Sequence, residues 1–243
     1  MASTSEKGHA KNIANANLLN TYITQLGTLY NPSNPKLQLS NLQNIYTTSF
    51  SHQESVNTLV APYSIAVDNR ENIFAPVSKK ITKLRKAYKA TEGVTPAQLE
   101  DFMTIARKLK GIRKVTNAPT TDTTEEQTQH STSQMSYDSR IANLDTYTNQ
   151  LASHPEYAPN ETEIQIASLQ TYHQRLTTLS GLVNSAGNAL ITARKNRNDI
   201  LYFNDTNIIQ LIKEIKAYLK SLGQAGEPYY KALVKLQFKD IKK

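Results

Sequence analysis

The side chains that could do chemistry are few, and most are cationic. Between 79 and 114 stand 11 basic and 3 acidic residues, a local excess of +8 that equals the formal net charge of the whole chain. Lys79, Lys80, Lys83 and Lys86, followed by Arg107, Lys108, Lys110, Arg113 and Lys114, form the candidate anion-binding set. Lys79, Lys83 and Lys86 follow i, i+4, i+7 spacing, and Arg107, Lys110 and Lys114 follow i, i+3, i+7, so each trio shares one helix face. Such a face suits nucleic-acid phosphate, an acidic protein or an anionic membrane surface. It equally suits a solvated face neutralised in part by residues 119–164, which hold 1 basic and 8 acidic residues. Only Tyr88 and Phe102 supply aromatic groups within the basic window, and no recognised nucleic-acid-binding motif is present.

The remaining chemistry is sparse. The five histidines, His9, His52, His130, His154 and His173, form no His-x-x-x-His pair and have no carboxylate at ligand spacing. No Glu-x-x-His pair, phosphate loop, dinucleotide fingerprint or serine-nucleophile elbow occurs. With no Cys there is no disulfide, thiol nucleophile or thiolate metal site, and 8 Gly leave little material for glycine-rich phosphate loops. The expectation is a non-enzyme without a cofactor or bound metal.

One charged constellation occurs twice. Asn69–Arg70 and Asn196–Arg197 stand 127 residues apart, within a longer self-match. Residues 30–43 read YNPSNPKLQLSNLQ and residues 157–170 read YAPNETEIQIASLQ, at the same offset. Leu19, Tyr22, Gln25 and Leu26 match Leu144, Tyr147, Gln150 and Leu151 at an offset of 125, and Ala87–Tyr88 matches Ala217–Tyr218 at 130. The matches keep their order over about 70 residues, which chance does not explain. Arginine in an apolar seam is costly unless paired. Arg70 and Arg197 are therefore expected to reach a helix end or a carboxylate such as Asp68, Glu71 or Asp199, with a pair of anion grips as the alternative. The Tyr-x-Pro turns at Tyr30–Pro32 and Tyr157–Pro159 are expected to sit at a bundle end.

The elements that must position these groups read as helices. From Leu42 to Ile73, alternating steps of three and four connect Leu42, Ile45, Ser49, His52, Val56, Leu59, Tyr63, Ala66, Arg70 and Ile73. The same positions plus 127 run from Leu169 and Tyr172 through Leu176, Val183, Leu190 and Ala193 to Arg197 and Ile200. This is the pattern of a helix seam facing another helix at a shallow angle. Asn34–Pro35, Thr95–Pro96 with Gln98, and Asn160 with Glu163 signal helix starts. Pro76 and the Asn204–Asp205 pair signal breaks. Helices are predicted at 11–28, 36–75 (with Pro62 as a kink site), 77–91 and 96–113, then at 136–153, 161–202, 206–222 and 228–238.

The organisation expected is a disordered N-terminus over 1–10, a first helical repeat with basic helices over 11–115, a polar Thr/Gln/Ser-rich linker over 116–135 and a second repeat over 136–243. The fold class is all-α: an elongated up-down helical bundle made of two homologous helical-hairpin repeats, with coiled-coil-like packing. A single pseudo-twofold bundle is favoured, because one hairpin cannot bury its own stripe whereas two can cover each other. The start MASTSEKGHAKN lacks an apolar core, and no window approaches 18 consecutive apolar residues. The expected location is the cytoplasm, with unconventional export as the alternative.

The segments SQMSYDSR (133–140), EYAPNETEIQIASL (156–169) and ARKNRNDILY (193–202) resemble an uncharacterised helical family of Bacteroidota. The resemblance covers about residues 133–238 and implies a bacterial source and an all-helical fold. It brings no activity and no catalytic residue. The functional expectation is a structural or protein-interaction bundle, able to self-associate. The alternative is an anion-binding module that contacts nucleic acid through residues 79–114.

Overall fold

A computed structural model describes residues 8–112 and 134–241. Among them every regular element is helical, and eight α-helices follow in order. They are α1 (His9–Leu26), α2 (Leu39–Phe74), α3 (Val77–Lys89), α4 (Pro96–Lys110), α5 (Tyr137–Ala152), α6 (Ile166–Asn198), α7 (Ile208–Ser221) and α8 (Glu227–Lys235). Residues 1–7 of the N-terminal segment expected over 1–10, and 116–133 of the linker expected over 116–135, lie outside the described residues.

Local chemistry explains most boundaries. Asn34 accepts from the Lys36 N–H at 3.0 Å, and Pro35 occupies the first position of a short 3₁₀ turn before α2. Thr95 and Gln98 complete a reciprocal capping box at the start of α4. Gly111, with φ 67°, closes the other end in the left-handed region. Ser136 caps α5 and Asn207 caps α7 through the N–H groups three residues on. One expected cap is not made: the 3₁₀ turn Thr162–Ile164 starts after Glu161, with no side-chain cap, and Glu163 is drawn away by lysines of α3. The end of α6 also differs from the sequence expectation. The helix loosens into one π-helical turn over Asp199–Phe203 before the break at Asn204. Between α7 and α8, a Cβ at Gly226 would overlap the Leu219 carbonyl oxygen and stand 2.9 Å from Leu222 Cβ, so glycine permits this close turn.

The helices form two compact units, Met1–Tyr63 with Ala186–Lys243, and Ser64–Ser185. The first unit joins α1 and the start of α2 to the end of α6, α7 and α8. Its core brings Ile13, Leu19 and Ile23 together with Ile208, Ile212, Ile215 and Leu233. Three buried asparagines on α1 would be costly among these groups without partners. Asn12 donates to the Lys239 carbonyl at 2.8 Å and accepts from the Lys239 N–H at 3.0 Å. Asn15 donates to the Gln237 carbonyl at 2.8 Å, and Asn20 to the Leu42 carbonyl at 3.3 Å. The extended segment after α8 is thus held on α1 by side-chain amides.

The second unit joins the end of α2, α3 and α4 to α5 and the start of α6. Phe74, Leu84, Tyr88, Phe102 and Leu109 share its core with Leu144, Tyr147, Leu151, Leu169 and Leu176. Phe102 and Tyr147 stack with centroids 3.8 Å apart.

The Tyr-x-Pro turns have the same internal bond in both units. The Tyr30 hydroxyl donates to the Leu37 carbonyl at 2.7 Å, and the Tyr157 hydroxyl to the Ile164 carbonyl at 2.9 Å. Both bonds are buried and span seven residues. Tyr30 meets Tyr218 edge-on at 5.2 Å, and Tyr157 meets Tyr88 at 6.4 Å. Burial pushes both turn hydroxyls up, and Tyr157, with Glu161 adding to the effect, reaches about 12. The two long helices bury half of the expected seam: Leu42, Ile45, Ser49 and Val56 on α2, and Leu169, Leu176, Val183, Leu190, Ala193 and Arg197 on α6. Tyr63, about two thirds of the way along α2, is 36% exposed and departs from the pattern.

Removing either turn hydroxyl strands a buried carbonyl. Tyr30→Phe and Tyr157→Phe are each expected to destabilise the chain by about 1–3 kcal/mol, read by chemical denaturation. Equal stability of both variants with the wild-type chain would show that the bonds do not hold the turns.

Candidate functional surface

Most of the basic candidates stand on α3 and α4, whose apolar sides pack through Ile81, Leu84, Phe102 and Leu109. Several of their charges are already engaged. Lys83 forms an ion pair with Glu163, and Lys80 donates to the Glu163 carbonyl at 3.1 Å and lies 5.1 Å from the Tyr172 ring centroid. The hydrogen bond and charge of Lys83 hold the Glu163 carboxyl below the usual range. Both members of that pair are exposed, so it contributes little to stability. Arg107 donates to Glu100 at 2.9 Å and to Thr104 at 2.8 Å, and Lys110 donates to the Thr82 hydroxyl at 2.9 Å. Lys79 and Lys86 are exposed and Lys108 is half-buried. Arg113 and Lys114 lie outside the described residues.

A groove of about 170 Å³ lies between α3 and α4. Ile81, Met103, Ala106 and Ile112 supply apolar walls, and Arg85, Arg107 and Lys110 bring three cationic groups to it. Pattern reading finds Arg107 and Lys110 but not Arg85, which falls outside the Lys79–Lys83–Lys86 face. The signal that identifies Arg85 is the pairing of α3 with α4, because both helices must be in place before their edges define a groove.

Arg197 is buried and Arg70 half-buried, and neither forms an ion pair with the expected carboxylates Asp68, Glu71 or Asp199 among the described residues. Arg70 places its guanidinium 4.0 Å from the Tyr137 ring centroid, a cation–π contact. Arg197 is 8% exposed and donates through Nε and Nη2 to Asn198 Oδ1, at 3.1 and 2.9 Å. Asp199 pairs with Lys195 instead, at 2.5 Å. Burial lowers the Arg197 pKa.

Beside Arg197, His9 Nδ1 lies 2.9 Å from the Tyr202 hydroxyl, which also accepts from Asn12 at 3.1 Å. Among the described residues no group of three His, Asp or Glu side chains could hold a metal ion. No helix there is long and apolar enough to cross a membrane. No family model, curated protein or solved structure matches the chain.

Burial, then the Arg197 charge, lowers the His9 pKa below 6.5. The folded state therefore binds a proton at His9 less readily than the unfolded state. The resulting stabilisation is complete above about pH 6.5 and is lost as pH falls through the lowered folded value. Thermal melts from pH 7.5 to 5 are expected to show a smaller acid loss for His9→Gln than for the wild-type chain. Identical profiles would remove His9 from the acid response.

Proposed function

We propose that the chain is a non-enzymatic helical interaction protein, and that the α3–α4 groove is its docking face for an acidic protein segment. The observation that carries this reading is the union of an apolar floor with Arg85, Arg107 and Lys110 in one groove. A groove of about 170 Å³ takes an apolar side chain, and the three cations suit carboxylates flanking that side chain. An architecture of two homologous helical-hairpin repeats is part of the proposal. It is supported by the matching Tyr30 and Tyr157 turns and by their edge contacts with Tyr218 and Tyr88. The exposed Phe50, Val60 and Ile191 of the first unit, and Leu182 of the second, offer apolar contacts for self-association. Membership of the Bacteroidota family remains a proposal on the three quoted segments and adds no activity to this reading.

The second reading is nucleic-acid contact through the basic segment. Lys79, Lys86 and Lys89 favour it, being exposed and without an ion pair among the described residues. Phosphate contacts of this kind give binding that weakens steeply with salt and has little sequence preference.

Peptides selected from a random library on the full chain separate the two. Docking predicts an apolar anchor flanked by Asp or Glu, with affinity falling at least about ten-fold in Arg85→Glu and in Met103→Glu. Peptides without that pattern, or with unchanged affinity for both variants, contradict docking. Duplex DNA retention lost in Lys79→Glu/Lys86→Glu but kept in Met103→Glu supports the second reading.

A further inference from the structure

A larger cavity lies in the first unit, and its wall chemistry differs from that of the α3–α4 groove. It measures about 460 Å³, within the size range of small-molecule sites. Lys11 from α1, Lys216 from α7 and Lys239 from the extended segment after α8 all line it. These three come from positions far apart in sequence, so neither composition nor periodicity brings them together. None of them is ion-paired or donates a side-chain hydrogen bond among the described residues. Two carboxylates close in sequence to these lysines have other interactions. Asp240 follows Lys239 and acts electrostatically on Tyr202, and Glu214 on α7 accepts from Gln210 at 2.9 Å.

The wall is fixed by the fold. Asn12, 1% exposed, grips Lys239 through both its N–H and its carbonyl, and Asn15 holds Gln237. The segment bearing Lys239 is therefore set against α1 before any ligand arrives, which lowers the ordering cost of binding. Val234, Leu236 and Phe238 add an apolar side to the same cavity. Three lysines line this one cavity, and a multiply charged anion bound there would offset the repulsion among their like charges. Lysine serves as a point-charge phosphate ligand. The neighbouring apolar wall accommodates a carbon skeleton or ring attached to the phosphates.

We propose that this cavity binds a soluble organic phosphate, with its phosphates on Lys11, Lys216 and Lys239 and its apolar body against Val234, Leu236 and Phe238. The site is independent of the groove on α3 and α4, and its failure would leave the docking reading untouched.

Calorimetric titration of the full chain tests it, with ATP, pyrophosphate and inorganic phosphate as probes at physiological salt. ATP is expected to saturate a single site and to bind at least about ten-fold more tightly than pyrophosphate. Lys11→Gln/Lys216→Gln/Lys239→Gln is expected to weaken ATP at least about ten-fold, while Lys79→Gln/Lys86→Gln leaves it unchanged. Phe238→Ala is expected to weaken ATP but not pyrophosphate. Circular dichroism of each variant keeps the comparison to folded protein. No saturable binding of ATP overturns the proposal, as does equal weakening by both lysine sets. Pyrophosphate binding as tightly as ATP overturns the organic assignment. Uptake by phosphatidylglycerol vesicles without ATP binding overturns the soluble one.

Discussion

The apolar stripe of α1 shares its core with α7 and α8, which lie at the other end of the chain. Asn12 contacts Lys239 across 227 positions of sequence, and that bond is part of the same packing. The second unit repeats the constraint, because Phe74, Leu84 and Phe102 are covered by Leu144, Tyr147 and Leu169. Each core therefore needs residues from both sides of the 116–135 segment. Closing contacts over such separations costs chain entropy that local helix formation does not recover. What offsets the cost is the burial of whole helix faces, together with hydrogen bonds that satisfy the buried amides and tyrosine hydroxyls.

Helices and their ends were legible where one residue type has one physical use. Thr95, Pro96 and Gln98 specify a helix start with local groups alone, and the capping box forms. Asn160 and Glu163 have similar spacing, yet Glu163 turns to Lys83 and Lys80, because a tertiary cation outbids a local N–H. The repeated arginines show the same limit. Sequence marks Arg70 and Arg197 as a shared feature of an apolar seam, but the Tyr137 ring and the Asn198 amide that receive them depend on tertiary or rotamer detail. Asn12 and Asn15 read as ordinary polar residues of a helix. Their partners are backbone groups of an extended segment more than 200 positions away, which no periodicity reports.

Charge tells a related story. The excess over residues 79–114 is real in sequence, but the structure divides it into engaged and free groups. Lys80, Lys83, Arg107 and Lys110 have partners, whereas Lys79 and Lys86 stand exposed. Among the described residues of the acidic stretch, Glu163 pairs with a lysine of the basic segment, Lys83. Three lysines without an ion pair among the described residues line a single cavity elsewhere, at Lys11, Lys216 and Lys239. A count along the chain cannot find it, because each of the three sits on a different element of the first unit.

Cores assembled from both halves of the chain make a direct physical demand: the halves must hold together without a peptide bond between them. A protease site inserted within residues 116–134 and cleaved after folding tests this by size-exclusion chromatography under native conditions. The account predicts that the two fragments elute together at the position of the intact chain and separate only in denaturant. Elution as two folded, independent fragments would contradict it.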